Sequence, residues 1–140
     1  RAILARHDLP AEVHVGRTDE IMKASRLCLV VSGTATLETA WHRTPMVVVY
    51  RVGAWARPFA HRLLHVKHIS LVNILAGREV VPEHLLFNDD ARPVAQSALR
   101  LLESPEALDR CRRDLDGVLS ALGPPGAGTR AAQAVLEMVR

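Results

Sequence analysis

Two short apolar runs, Leu27–Val31 and Met46–Tyr50, flank a stretch of helical pattern at Ala35–His42, and this spacing constrains the fold more than anything else in the chain. Runs of this length read as buried strands rather than buried helices. Alternation of apolar strands with helices implies a parallel sheet covered by helices on both faces, a Rossmann-like α/β fold. Ligands on such sheets bind beyond the carboxyl ends of the strands. The segment Ser32-Gly33-Thr34 falls at one such end.

The remaining elements follow from periodicity and punctuation. A helix is expected at Ala2–His7, a strand at Val13–Val15, and a turn at Gly16-Arg17-Thr18, with Thr18 capping a helix from Asp19 to Ser25. A helix is expected at Trp55–Val66, followed by an apolar run at Ile69–Val72. From residue 83 to residue 140 the pattern reads as a mainly helical tail: Glu83–Leu86, Ala91–Glu103, Pro105–Leu119 and Thr129–Val139. Ser104 caps the third of these, with Pro105 in its first position. Gly123-Pro124-Pro125-Gly126 forms a hinge before the last. Such a tail has three destinations: back onto the sheet, across to another domain, or onto a second subunit.

At 140 residues, 49% of them apolar, the chain suits one globular domain with a real core. No apolar run approaches the roughly 20 residues of a membrane-spanning helix. The first residues, with Arg1, Arg6, His7 and Asp8, lack a signal-peptide core. The absence of an initial Met fits a fragment. Cys28 on a strand and Cys111 on a charged helix suit two reduced thiols better than a disulfide. A net charge of +3 fits an anionic ligand or a membrane surface as readily as nucleic acid. Aromatics at 4% weaken any reading based on base stacking, so no nucleic-acid partner is expected.

The chemistry centres on Ser32-Gly33-Thr34-Ala35. A strand that ends in Ser-Gly-Thr at a helix start offers backbone N–H groups to an anion, and Gly33 lets a phosphate approach closely. Glu38 shares a helical face with Thr34 and can accept hydrogen bonds from a ribose diol. That combination suits a nucleotide, and a nucleotide-sugar in particular. The ordinary alternative is an N-cap, a tight turn and a solvated carboxylate.

Asn73 and Arg78 are further candidates for the ligand site, Asn73 after an apolar run and Arg78 as a bidentate phosphate partner. Arg51, at a strand end, is a weaker one. Their ordinary roles would be a turn amide and surface cations. In the segment 55–66, Trp55, Phe59 and Leu63 share an apolar helical face beside Arg57, His61, Arg62 and His65. This face reads as a core stripe or as a contact for acyl chains and an anionic membrane surface.

No metal site is expected. His61 and His65 are four apart but lack a nearby acidic or Cys ligand. Asp114-Leu115-Asp116 lies in a charged helix, where residues two apart point to different faces.

The runs Ser32-Gly33-Thr34-Ala35-Thr36-Leu37-Glu38-Thr39-Ala40 and Pro45-Met46-Val47-Val48-Val49-Tyr50-Arg51 resemble the lipid-A-disaccharide synthase family. Ser70 to Glu83 and the tail Gly128-Thr129-Arg130-Ala131-Ala132 are also similar to it. The resemblance covers nearly the whole chain. It implies the C-terminal half of a GT-B fold, the nucleotide-sugar-binding half of an inverting glycosyltransferase, with the N-terminal half absent. The implied sugar donor is UDP-2,3-diacylglucosamine. The implied acceptor is 2,3-diacylglucosamine 1-phosphate, and the products are the lipid A disaccharide 1-phosphate and UDP.

The resemblance assigns Ser32, Gly33, Thr34, Ala35, Glu38, Asn73 and Arg78 to the sugar-donor site. It places the general base in the other half, so the chain alone is expected to be inactive. It requires no cofactor or metal. It also implies a cytoplasmic protein, peripheral on the inner face of the inner membrane, with the helical tail a candidate homodimer contact. The same half-fold occurs in UDP-sugar epimerases, and a non-catalytic nucleotide-binding or assembly module is a further alternative. Phe87-Asn88 stands where the family carries a Gln, which puts one nucleotide contact in question. Trp41-His42-Arg43 replaces a smaller stretch, a change expected to affect helix packing.

Overall fold

The computed structural model describes residues 10–52, 67–124 and 126–139. The expected helices Ala2–His7 and Trp55–Val66 lie outside the described residues, and with them Trp55, Phe59 and Leu63. The described elements run α1 (Thr18–Ala24), β1 (Cys28–Val31), α2 (Ala35–Trp41), β2 (Met46–Arg51), α3 (Leu71–Ala76), β3 (Glu83–Leu86), α4 (Arg92–Glu103), α5 (Pro105–Ala121) and α6 (Ala127–Met138). The strands form one parallel sheet in the order β1-β2-β3. The Rossmann-like α/β arrangement expected from the apolar runs is therefore the one observed.

The centre of the sheet is β2. Met46, Val47 and Val48 are buried, so both faces of the strand are covered there. On one face Val30, Met46 and Val48 pack with Ala40 of α2, Val72 of α3, and Cys111, Leu115 and Val118 of α5. The other face is covered by α4. Its Ser97 is hydrogen-bonded to His84 at 2.9 Å, and His84 stands beside Val49 in the register. That second layer does not reach β1, where Leu29 and Val31 remain 63% and 70% exposed.

Several local expectations change. Residues 83–86 form a strand and not a helix. Four residues carry too little periodicity to decide, and the open edge of β2 does so, with Val48 N–H donating to Pro82 O and Val52 N–H to Leu86 O. The tail is thus helical only from Arg92. Val13–Val15 forms no strand, and both valines are exposed. Thr18 is the first helical residue of α1, after Arg17. The apolar run Ile69–Val72 contains a helix start: Ser70 caps α3 by accepting from Asn73 N–H, and Gly77 ends it with φ 66°, a left-handed conformation suited to glycine.

The stretch Trp41-His42-Arg43 makes polar contacts to α1 and α5. Trp41 is 64% exposed. His42 pairs with Asp19 of α1 at 2.6 Å, and Arg43 pairs with Asp116 of α5. Ser104 caps α5 as expected, accepting from Ala107 N–H. Both cysteines are free thiols. Burial pushes the Cys111 thiol up to about 11.

Leu115 is fully buried against the sheet. Leu115→Ala is expected to lower unfolding free energy by about 2–5 kcal/mol, read from urea unfolding.

Candidate functional site at the carboxyl edge of the sheet

The Ser32–Glu38 unit sits where β1 ends and α2 begins. Ser32 still belongs to the sheet, its N–H donating to Val49 O at 3.1 Å. Its hydroxyl donates to Ile69 O at 3.2 Å. The expectation that four amides face a ligand is corrected at this residue, because the Ser32 N–H is occupied by the ladder. The next amides differ. Thr36, Leu37 and Glu38 N–H groups turn inward to Gly33 O and Thr34 O. Among the described residues, the N–H groups of Gly33, Thr34 and Ala35 have no protein acceptor.

Gly33 makes this turn with φ 154°, a conformation that side chains rarely adopt, and a Cβ there would meet nothing within 4 Å. The helix it opens is anchored by buried Thr36 and Thr39, whose hydroxyls donate to Gly33 O and Ala35 O at 2.7 Å. Thr34 and Glu38 are exposed one turn apart on the outer face. The carboxyl end of β2 brings in one more candidate, Arg51, which pairs with Asp89 at 2.8 Å.

Asn73 and Arg78 do not join this surface. Asn73 is fully buried in α3. Its amide donates to Val81 O at 2.8 Å and Glu83 Oε1 at 2.7 Å, and its Oδ1 accepts from Val80 and Val81 N–H at 2.7 and 3.1 Å. Both donors and both lone pairs are occupied within the fold, so its role is internal. Arg78 lies between the end of α3 and the start of β3, at the opposite edge of the sheet from Ser32. There its guanidinium binds the Asp114 carboxylate at 2.6 and 3.3 Å. Hydrogen bonding to Asp114 raises the Arg78 pKa above its ordinary value. Asp114 and Asp116 are thus both ion-paired, while Leu115 between them faces the core.

The residue that sequence reading passed over is Glu83. Its carboxylate accepts from Ile69 N–H at 2.7 Å, Ser70 N–H at 2.8 Å and the Asn73 amide. The only signal was its place after Pro82, ten residues beyond Asn73. Partial burial by itself raises the Glu83 pKa, but the hydrogen bonds from Ser70, Ile69 and Asn73 outweigh it and hold the carboxyl below its usual range.

A cavity of about 290 Å³ is lined by Glu79, Pro82, Glu83, His84, Ser97 and Arg100, among others. It opens beside the amino end of β3, away from the Ser32 turn.

The lipid-A-disaccharide synthetase family model matches residues 3–137. The chain belongs to that family. It is 41% identical to the lipid-A-disaccharide synthase of Anaeromyxobacter dehalogenans strain 2CP-1 over 140 residues, 99% of this chain and 36% of that relative. The synthase of Gluconobacter oxydans is 41% identical over 83% of this chain and 28% of its own length. That of Geobacter sulfurreducens is 36% identical over 98% and 36%. The chain therefore spans about a third of the length of the curated relatives it matches.

Two outcomes follow from this geometry. Gly33→Ala meets no steric obstacle, so its effect is conformational, an expected loss of about 1–3 kcal/mol from backbone strain, measurable by denaturant unfolding. The folded pKa of Glu83 is depressed, so its stabilisation is fully present above the ordinary value of 4.5 and is lost as pH falls through the lower folded value. The stability gap between the unmodified chain and Glu83→Gln should narrow as pH is lowered from about 6 to about 3.

Proposed function

We propose that this chain is the nucleotide-sugar-binding part of a lipid A glycosyltransferase. The enzyme would transfer 2,3-diacylglucosamine from its UDP donor to 2,3-diacylglucosamine 1-phosphate, giving the disaccharide 1-phosphate and UDP. The observation that carries this reading is the family match over residues 3–137, with relatives that bear the synthase name.

The geometry supports a division of labour. The N–H groups of Gly33, Thr34 and Ala35, which have no protein acceptor among the described residues, would hold the diphosphate at the end of β1. Fixed donors of this kind stabilise the negative charge that grows on a leaving diphosphate. Glu38, one turn along, accepts from the ribose hydroxyls, and Thr34 flanks the same face. Arg51, paired with Asp89 at the neighbouring strand end, is a weaker contact for the phosphates. Ser32 acts one step back, holding the turn to the sheet and to Ile69.

An inverting transfer also needs a base for the acceptor hydroxyl. The family resemblance places that base in a part of the enzyme outside this chain, so the chain alone is expected to be inactive. Neither a metal nor a cofactor enters the scheme. No helix among the described residues is long and apolar enough to cross a membrane. In this reading the enzyme meets its lipid substrates peripherally at the inner face of the inner membrane, through Trp55, Phe59 and Leu63. The apolar side of α6, with Val135, Leu136 and Met138 all exposed, offers a homodimer contact.

Calorimetric titration with UDP and ADP tests the site. UDP is expected to bind more tightly than ADP, and Glu38→Ala to weaken UDP by about tenfold, the scale of a lost charge-assisted hydrogen bond. Equal affinity for the two nucleotides, or an unaffected variant, would remove the Ser32–Glu38 turn from the sugar-donor site. Disaccharide formation by the isolated chain would refute its expected inactivity.

A further inference from the structure

The Ser32 hydroxyl is held by a carbonyl that is itself held by a carboxylate. Ser32 Oγ donates to Ile69 O at 3.2 Å. The N–H groups of Ile69 and of Ser70, the next residue, donate to the two oxygens of Glu83 at 2.7 and 2.8 Å. The Glu83 carboxylate is in turn fixed by Asn73, which also closes the backbone of Val80 and Val81. This chain of bonds runs from the amino end of β3 across the top of α3 to the end of β1. It joins segments 37 and 14 residues apart in sequence.

We propose that Glu83 is a positioning residue for the sugar-donor site, setting the Gly33–Ala35 amides through Ile69 and Ser32; this rests on the reading of the Ser32–Glu38 turn given above. Two adjacent N–H groups converge on one carboxylate, so the 69–70 peptide has a single favourable orientation. That orientation aims Ile69 O at Ser32. Ser32 is the last residue tied to the β ladder before Gly33, whose unusual φ would otherwise leave the turn loosely defined. A neutral amide cannot replace the carboxylate. Glutamine has one acceptor oxygen, and its NH₂ would face an N–H donor at Ile69 or at Asn73. Aspartate keeps both acceptors on a shorter stem.

The test uses Glu83→Gln, Glu83→Asp, Ser32→Ala, the Glu83→Gln/Ser32→Ala pair, and Ser97→Ala as a control. Ser97 is a buried hydroxyl that bonds His84 and Arg100 away from the turn. Backbone amide NMR of the whole chain should show the Gly33, Thr34 and Ala35 resonances displaced in Glu83→Gln and in Ser32→Ala, displaced less in Glu83→Asp, and unmoved in Ser97→Ala. The affinity for UDP should fall about tenfold in each of the two single variants and no further in the pair, since they break one chain of interactions. Unmoved Gly33–Ala35 resonances in Glu83→Gln, with Ile69 and Ser70 displaced, would overturn the proposal. So would affinity losses that multiply in the pair. If Glu83→Gln does not fold, Glu83→Asp and Ser32→Ala decide by the same readings. A failure of the unmodified chain to prefer UDP would overturn the site reading itself, while the resonances would still report whether Glu83 sets the turn.

Discussion

Parallel strands cannot be joined by a tight turn. Every connection must return to the starting edge of the sheet, and every strand then ends on the same side. That constraint explains the layout of this molecule. The carboxyl ends of β1, β2 and β3 lie along one edge, so the Ser32 turn, Arg51 and the Leu86–Val52 pairing come together from distant parts of the chain. The opposite edge collects the return loops, with Arg43 and Arg78 each paired to an aspartate of α5. The first edge carries the Gly33, Thr34 and Ala35 amides, which have no protein acceptor among the described residues, and at the second the charge pairs tie two return loops to α5.

The sheet supplies the layout but not all of its rigidity. With only four to six residues per strand, much of the positional precision comes from buried polar groups. Asn73 uses its full hydrogen-bonding capacity to fasten α3 to the segment entering β3. Thr36 donates its hydroxyl to the turn before its helix, at Gly33 O, and Thr39 to the helix itself, at Ala35 O. A buried polar group with every bond made specifies a single geometry, because any displacement leaves a donor or acceptor without a partner. This explains why an asparagine occupies a position where a sequence reader looks for a ligand contact.

The strands β1 and β2 and the helices α2, α4 and α5 were legible in the sequence because apolar runs, a Pro-bearing cap at Ser104–Pro105 and helical periodicity each point one way. The Ser32–Glu38 unit was legible for the same reason: glycine, hydroxyl and carboxylate stand at offsets that a strand-to-helix turn fixes locally. What stayed hidden depends on distant pairing. Glu83–Leu86 has no pattern of its own and becomes a strand only because β2 lies beside it. Asn73 and Arg78 look identical to ligand contacts until the positions of Glu83 and Asp114 are known. Val13 and Val15 alternate like a strand but have no partner among the described residues.

The last helix raises a separate matter. None of the residues of α6 is buried, and a helix of about 12 residues is marginal in water without packing. The core and this helix are therefore separate cooperative units, with different free energies of opening. Heating the chain should give a helical signal that begins to decay before the near-ultraviolet signal of the packed interior changes. A melting temperature taken from total helicity would then mix two transitions and understate the endurance of the sheet.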